Sequence, residues 1–284
     1  MAAEVRLASG PAEATVRREG ALVARFAVAG LDVLHPADGP GPGGCFPLVP
    51  WSNRISGGGF SVGSRFHALE PNAPGEPFPI HGNGWQSTWT LEPRSAARAV
   101  LRLDSDGPGP FRYRARLLVA LAPRAVTLVL AVTNRAPEPL PYGLGFHPSF
   151  VRRAGMTLAA PAATVWLEDA RHLPTVRLAV ADRPAWDFSA ARPLPASWIN
   201  NAFEGWSGRA SLDDAAVRRR VVIAARALRT LVLYSPDAAA PFVCVEPVSH
   251  AADAHNREGM PGLAMLRPGD TAAAALRIAV ADRP

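Results

Sequence analysis

The chain has 284 residues, 48% hydrophobic and 19% charged, enough apolar material for one large domain or two small ones. Its net charge is +6 and every basic residue is arginine, but these are scattered among acids. Only Arg218, Arg219 and Arg220 form a run, and no nucleic-acid-binding motif accompanies them, so a nucleic-acid partner is not expected.

The first segment with a pattern, residues 14–34, holds short β-like runs broken by Gly20 and Gly30. Residues 97–134 are clearer: apolar side chains recur at every second position with arginines between them, the signature of strands with one buried and one wet face. Within that stretch LAPRA reads as a hairpin connection. An alanine-rich stretch near Ala210–Ala216 is expected to form a short helix, and residues 219–234 and 271–280 return to period two. The 29 prolines and 24 glycines suit a chain with many turns, and no segment sustains a period of 3.6. The reading is an all-β fold, a large antiparallel sandwich in a single domain over residues 1–284. Irregular segments at 36–59, 69–85 and 180–208 interrupt it and carry Trp51, Trp85, Trp186, Trp198 and Trp206. Long irregular stretches in a compact domain are commonly functional.

Two cysteines, Cys45 and Cys244, make no disulfide framework and read as small core residues. No segment has the roughly 18 apolar residues of a membrane span, and the first residues lack the apolar stretch of a secretory leader. A soluble cytoplasmic chain without membrane contact is expected.

Four loops carry side chains capable of chemistry. PWSNRISGGGF contains Arg54, a fixed charge with a planar fork of donors suited to hydroxyl pairs or a carboxylate. IHGNGWQSTW places His81 before Gly82, where backbone can approach closely. PYGLGFHPSF sets His147 where an apolar pattern stops, and FVCVEPVSHAADAHN ends an apolar run on Glu246. A carboxylate there is partly desolvated, which raises its pKa and strengthens it as a base. Taken singly, each has a bland reading as well: buried Glu more often serves an ion pair, and a lone His more often satisfies structure. His250 and His255 near Asp253 match no zinc spacing, so no metal is expected. There is no GxSxG, P-loop, HExxH or paired CxxC.

Together GGCFPLVPWSNRI, IHGNGW, GLGFHPSF, NNAFEGW and VCVEPVSHAADAHN, in this order, resemble the aldose 1-epimerase (mutarotase) superfamily. The resemblance implies a large twisted β-sandwich with a sugar cleft across one sheet, and a metal-free acid–base reaction that needs no cofactor. It implies Glu246 as base, His147 as acid, His81 as a hydrogen-bonding partner near the ring oxygen, and Arg54 as a binder of sugar hydroxyls. Trp51, Trp85 or Trp206 would stack on the sugar. Asn200 and Asn201 stand where many relatives carry an Asp that holds hydroxyls; an amide still donates and accepts but carries no charge. The implied partner is a monosaccharide, bound by a monomer or homodimer. Two alternatives remain: an epimerase of hexose 6-phosphates, using Arg65, Arg152, Arg153 or Arg209 at the cleft rim, and a non-catalytic sugar-binding protein.

Overall fold

The computed structural model describes residues 3–282. Period two becomes two large sheets in which the named strands all pair antiparallel. Nine strands form the more regular sheet, centred on the hairpin Tyr113–Ala122 and Ala125–Asn134, with Pro123 and Arg124 at its turn. Every odd residue of Tyr113–Ala122 is buried. Leu117, Leu128 and Leu130 are fully enclosed, each contributing about 1.5–3 kcal/mol by leaving water. The outer face of this sheet carries the scattered arginines, as in Arg114–Asp104 at 2.7 Å and Arg116–Glu92 at 3.1 Å.

The second sheet has eleven strands. Its centre runs in the order Cys45–Leu48, Gly145–Val151, Phe242–Val248, Thr230–Ser235, Ile199–Glu204 and Thr164–Glu168. Alternation sorts these strands' side chains. Phe146, Phe150, Val243, Val245, Leu231, Leu233 and Phe203 enter one core shared with the nine-stranded sheet. Leu48, Val232, Ala202 and Val248 face the other way and form a second, smaller apolar floor with Ala251. This sheet is therefore covered on both faces at its centre, and Phe242–Val248 is buried at every residue.

The stretch expected as a helix near Ala210–Ala216 is instead the strand Arg209–Asp214, followed by a turn. Alanine propensity loses here to packing: Ala210 and Leu212 alternate into the core while the strand pairs with Arg219–Ala224. Segment 180–208, expected to be irregular, contains the strand Ile199–Glu204. Helical structure among the described residues is limited to four single 3₁₀ turns.

Candidate active site

Gly145 pairs with Val248 and Ser149 with Cys244, so His147 lies opposite Glu246 on the neighbouring strand. Opposed residues of one pair point to the same face, here the one away from the main core. His147 Nε2 comes within 3.3 Å of Glu246 Oε1. Phe46, paired with His147 on its other side, stacks on the imidazole at 4.6 Å and 17°. Trp85 stacks on Phe46 in turn at 5.9 Å. The acid–base candidates thus sit on strands rather than loops, with the imidazole held flat by a neighbouring ring.

His81 arrives from a loop, at φ +60°, a conformation that costs energy in a non-glycine residue and persists only when its surroundings enforce it. They do so here. Asn72 bonds the Ile80 N–H through Oδ1 and the Ile80 and Gly82 carbonyls through Nδ2, at 2.7–2.9 Å. Gly82 has φ +61°, and a Cβ there would lie 2.3 Å from Val49 O, so no larger residue fits without moving the loop. The Asn53 N–H donates to His81 Nδ1 at 3.0 Å. That bond fixes the tautomer: the neutral ring carries its hydrogen on Nε2. His81 lies edge-on to His147, ring centres 5.4 Å apart.

Arg54 is buried and held bidentate by Glu76, at 2.6 and 2.8 Å. It lines a cleft of about 250 Å³ together with His81, His147, Glu246, Asn200 and Tyr234. Asn201, one residue along, alternates to the other face and donates to Trp166 O at 2.7 Å; it does not line the cleft. Trp51 and Trp206 are completely enclosed in the core and cannot meet a ligand. Trp85 lies behind Phe46 with its N–H on Gly82 O. The tryptophan on the cleft itself is Trp198, 44% exposed. His250 uses both ring nitrogens on backbone, accepting from Ser52 N–H and bonding Ala251 O.

Burial decides the electrostatics. Desolvation pushes the Glu246 carboxyl up to about 8, although the charge of Arg54 pulls it back, and lowers His147 to about 4. His81 is held well below its ordinary value, first by burial and then by the charges of His147 and Arg54, so it stays neutral. The His147–Glu246 pair therefore holds a single proton across the neutral range. At this separation that proton belongs to the pair rather than to either residue. Such a pair can take a proton at one atom while giving one at the other. The ligand atoms of His147, Cys244 and Glu246 also lie within 4.8 Å of one another. Burial keeps the Cys244 thiol protonated, however, and Ser149 Oγ bonds it at 3.3 Å, which makes it a poor metal ligand.

Three side chains at or beside the cleft escaped the sequence reading as site residues: His172 and Trp198, which line it, and Glu168 in the adjoining recess. Trp198 stood among the loop tryptophans, but no pattern separated it from the buried ones. Glu168 ends a short strand, where only the clustering of Trp166, Glu168 and His172 offered a hint.

Comparison with known proteins places the chain by family and fold. The aldose 1-epimerase family model matches residues 4–279. The uncharacterized protein YphB of Escherichia coli (strain K12) is 30% identical over 284 residues, covering 96% of this chain and 97% of that one. A crystal structure of a candidate aldose 1-epimerase from Escherichia coli K12 superposes with a TM-score of 0.93 at 29% identity, covering 98% of this chain and 99% of the other. That of a galactose 1-epimerase from Lactobacillus acidophilus NCFM gives 0.80 at 17% identity, over 99% and 95% of the two chains, a likeness of fold.

Proposed function

The chain belongs to the aldose 1-epimerase family, and on that premise we propose that it interconverts the α and β anomers of a free aldose by acid–base ring opening and closure. The observation that carries the reading is the His147–Glu246 pair, 3.3 Å apart in a buried cleft and holding one proton between them. In the ionic form of that pair, the Glu246 carboxylate takes the proton from the hydroxyl on C1 while His147 gives its proton to the ring oxygen. The C1–O5 bond breaks, the C1 carbonyl forms, and the pair still holds one proton, now on the carboxyl. Rotation about C1–C2 presents the other carbonyl face, and the two transfers run in reverse. His81, neutral and with N–H at Nε2, is suited to donate to a sugar oxygen beside His147. Arg54 is preset by Glu76 for hydroxyls.

A phosphorylated hexose is less well served. Arg65 and Arg153 are paired with Glu138 and Asp214, Arg152 bonds Ser235, Asp237 and Pro195, and neither these nor Arg209 lines the cleft. The guanidinium that does, Arg54, is already neutralised by Glu76. A purely binding protein would have no need of a buried, desolvated acid–base pair, since burying such groups costs free energy.

The test is polarimetry on freshly dissolved α-anomers of glucose, galactose and arabinose. The wild type is expected to hasten the approach to equilibrium for at least one of them, and Glu246→Gln to leave the spontaneous rate. Acceleration of hexose 6-phosphates alone would replace the free-sugar reading, and sugar binding without any acceleration would establish the non-catalytic one.

A further inference from the structure

Beyond the acid–base pair and the Arg54–Glu76 pair, one more carboxylate stands just behind the cleft wall, in the recess that shares His172 and Asn200 with it. Glu168 has a side chain only 16% exposed. It receives Trp198 Nε1 at 2.6 Å, Asn200 Nδ2 at 2.9 Å and His172 Nδ1 at 3.0 Å. The carboxylate oxygens accept from these N–H groups, so all three partners are fixed in orientation. Asn200 must turn its NH₂ to Glu168, which leaves Oδ1 as the acceptor it can offer. His172 must carry a hydrogen on Nδ1, which leaves Nε2. The Trp198 N–H is consumed, which leaves the ring face, backed by His172 in a 5.2 Å stack and met edge-on by Tyr234 at 5.4 Å. His172 itself sits at φ +62°, in a turn whose Arg171 and Leu173 N–H groups are both held by Asp169 Oδ1.

The sheet register places this cluster. Glu246 pairs with Val232, and Val232 with Ala202, so small side chains floor the cleft beside the acid–base pair. Asn200 lies on the same face two strands from Glu246 and two residues along, a backbone separation of roughly 10–12 Å from ordinary strand spacings. After both side chains have reached inward, the gap suits one sugar ring.

We infer that Glu168 organises a hydroxyl-binding subsite that reads the end of the aldose remote from C1. Asn200 Oδ1 and His172 Nε2 take hydroxyls, and the Trp198 face covers the C–H surface of the ring. The inference rests on the free-aldose reading above. Glu168 is a positioning residue: it acts through its three partners.

The test is a charge-exchange cycle on the sugar the wild type turns over fastest. Glu168→Gln frees the amide of Asn200 to flip, and Asn200→Asp opposes two carboxylates at hydrogen-bonding distance. Each is expected to raise KM about tenfold with kcat within about threefold, the signature of lost uniform binding. The double variant Glu168→Gln/Asn200→Asp restores one donor facing one acceptor and is expected to recover most of the loss. Unchanged KM in the single variants, or losses that multiply in the double, would overturn the subsite while leaving the catalytic reading intact. Should the wild type accelerate no free aldose, the catalytic reading fails by itself and fluorescence decides the subsite. Quenching of Trp198 by the same sugars, abolished in Trp198→Phe and weakened in Glu168→Gln, would support it; no quenching would overturn it.

Discussion

The hairpin Tyr113–Ala122/Ala125–Asn134 and the strand pair Gly145–Val151/Phe242–Val248 are built from the same backbone pairing, yet they differ in what their outward side chains meet. In the hairpin the outward positions are wet or half-wet and carry arginine, threonine and alanine, with Leu118 and Val129 among them. In the strand pair they carry His147, Ser149, Cys244 and Glu246, nearly all withdrawn from water. A sheet with one wet face advertises itself by alternation. A sheet covered on both faces loses that signal, and a polar residue in it is held at a cost that pairing must offset. The first region supplies stability, and the second spends part of it on two titratable groups kept out of water.

Substitutions in the two regions should therefore separate activity from stability. The largest effect is expected from Glu246→Gln, a loss of about 10²–10⁴ in kcat. The same variant should gain stability relative to wild type as the pH rises, by about 4 kcal/mol between pH 4 and pH 8. The sign follows from linkage. The folded Glu246 titrates near 8 and the unfolded one near 4.5, so the folded state binds the extra proton between those values. Its favourable contribution is present below pH 4.5 and lost as the pH rises to 8. Denaturant melts at the two pH values check this. Leu128→Ala, in the middle of the hairpin, is the converse: about 2–5 kcal/mol of stability lost, with KM and kcat of the folded protein unchanged.

The pH dependence of kcat/KM sharpens the contrast further. The one-proton form of the pair is bounded by His147 near 4 and Glu246 near 8, so a plateau between two limbs at about those values is expected. Removal of either group should erase its limb. Gly82→Ala should cost about tenfold in kcat/KM, because the new Cβ meets Val49 O and moves His81. At the bottom of the scale, Arg116→Ala breaks an exposed ion pair of the nine-stranded sheet. It should shift stability by less than about 0.5 kcal/mol and activity not at all.

The same contrast explains what could be read in advance. The strands at 98–134, 219–224 and 271–282 were legible because each alternates between a core face and a wetter one, whereas Thr230–Ser235 followed the same sequence pattern although nearly every residue of it is buried. Thr157–Ala159 and Leu140–Tyr142 have three residues each, too few to show a period. Arg209–Asp214 misled because alanine favours helix locally, while its partner strand outbids that preference. At the site, Arg54, His81, His147, Glu246 and Asn200 were visible through order and motif and do converge on one cleft. Glu168 and Trp198 were not. Their position depends on the pairing of Thr164–Glu168 with Ile199–Glu204, more than thirty residues on, which no local pattern encodes.

The stack of Trp85 on Phe46 on His147 has a mechanical consequence. The imidazole is clamped like a workpiece in a vice, and Glu246 is pinned to the adjoining strand, so neither can follow the substrate. In the proposed reaction all the turning is done by the opened sugar about one of its own bonds. A catalyst that keeps still has no preferred direction of travel, and serves either anomer with the same unmoved parts.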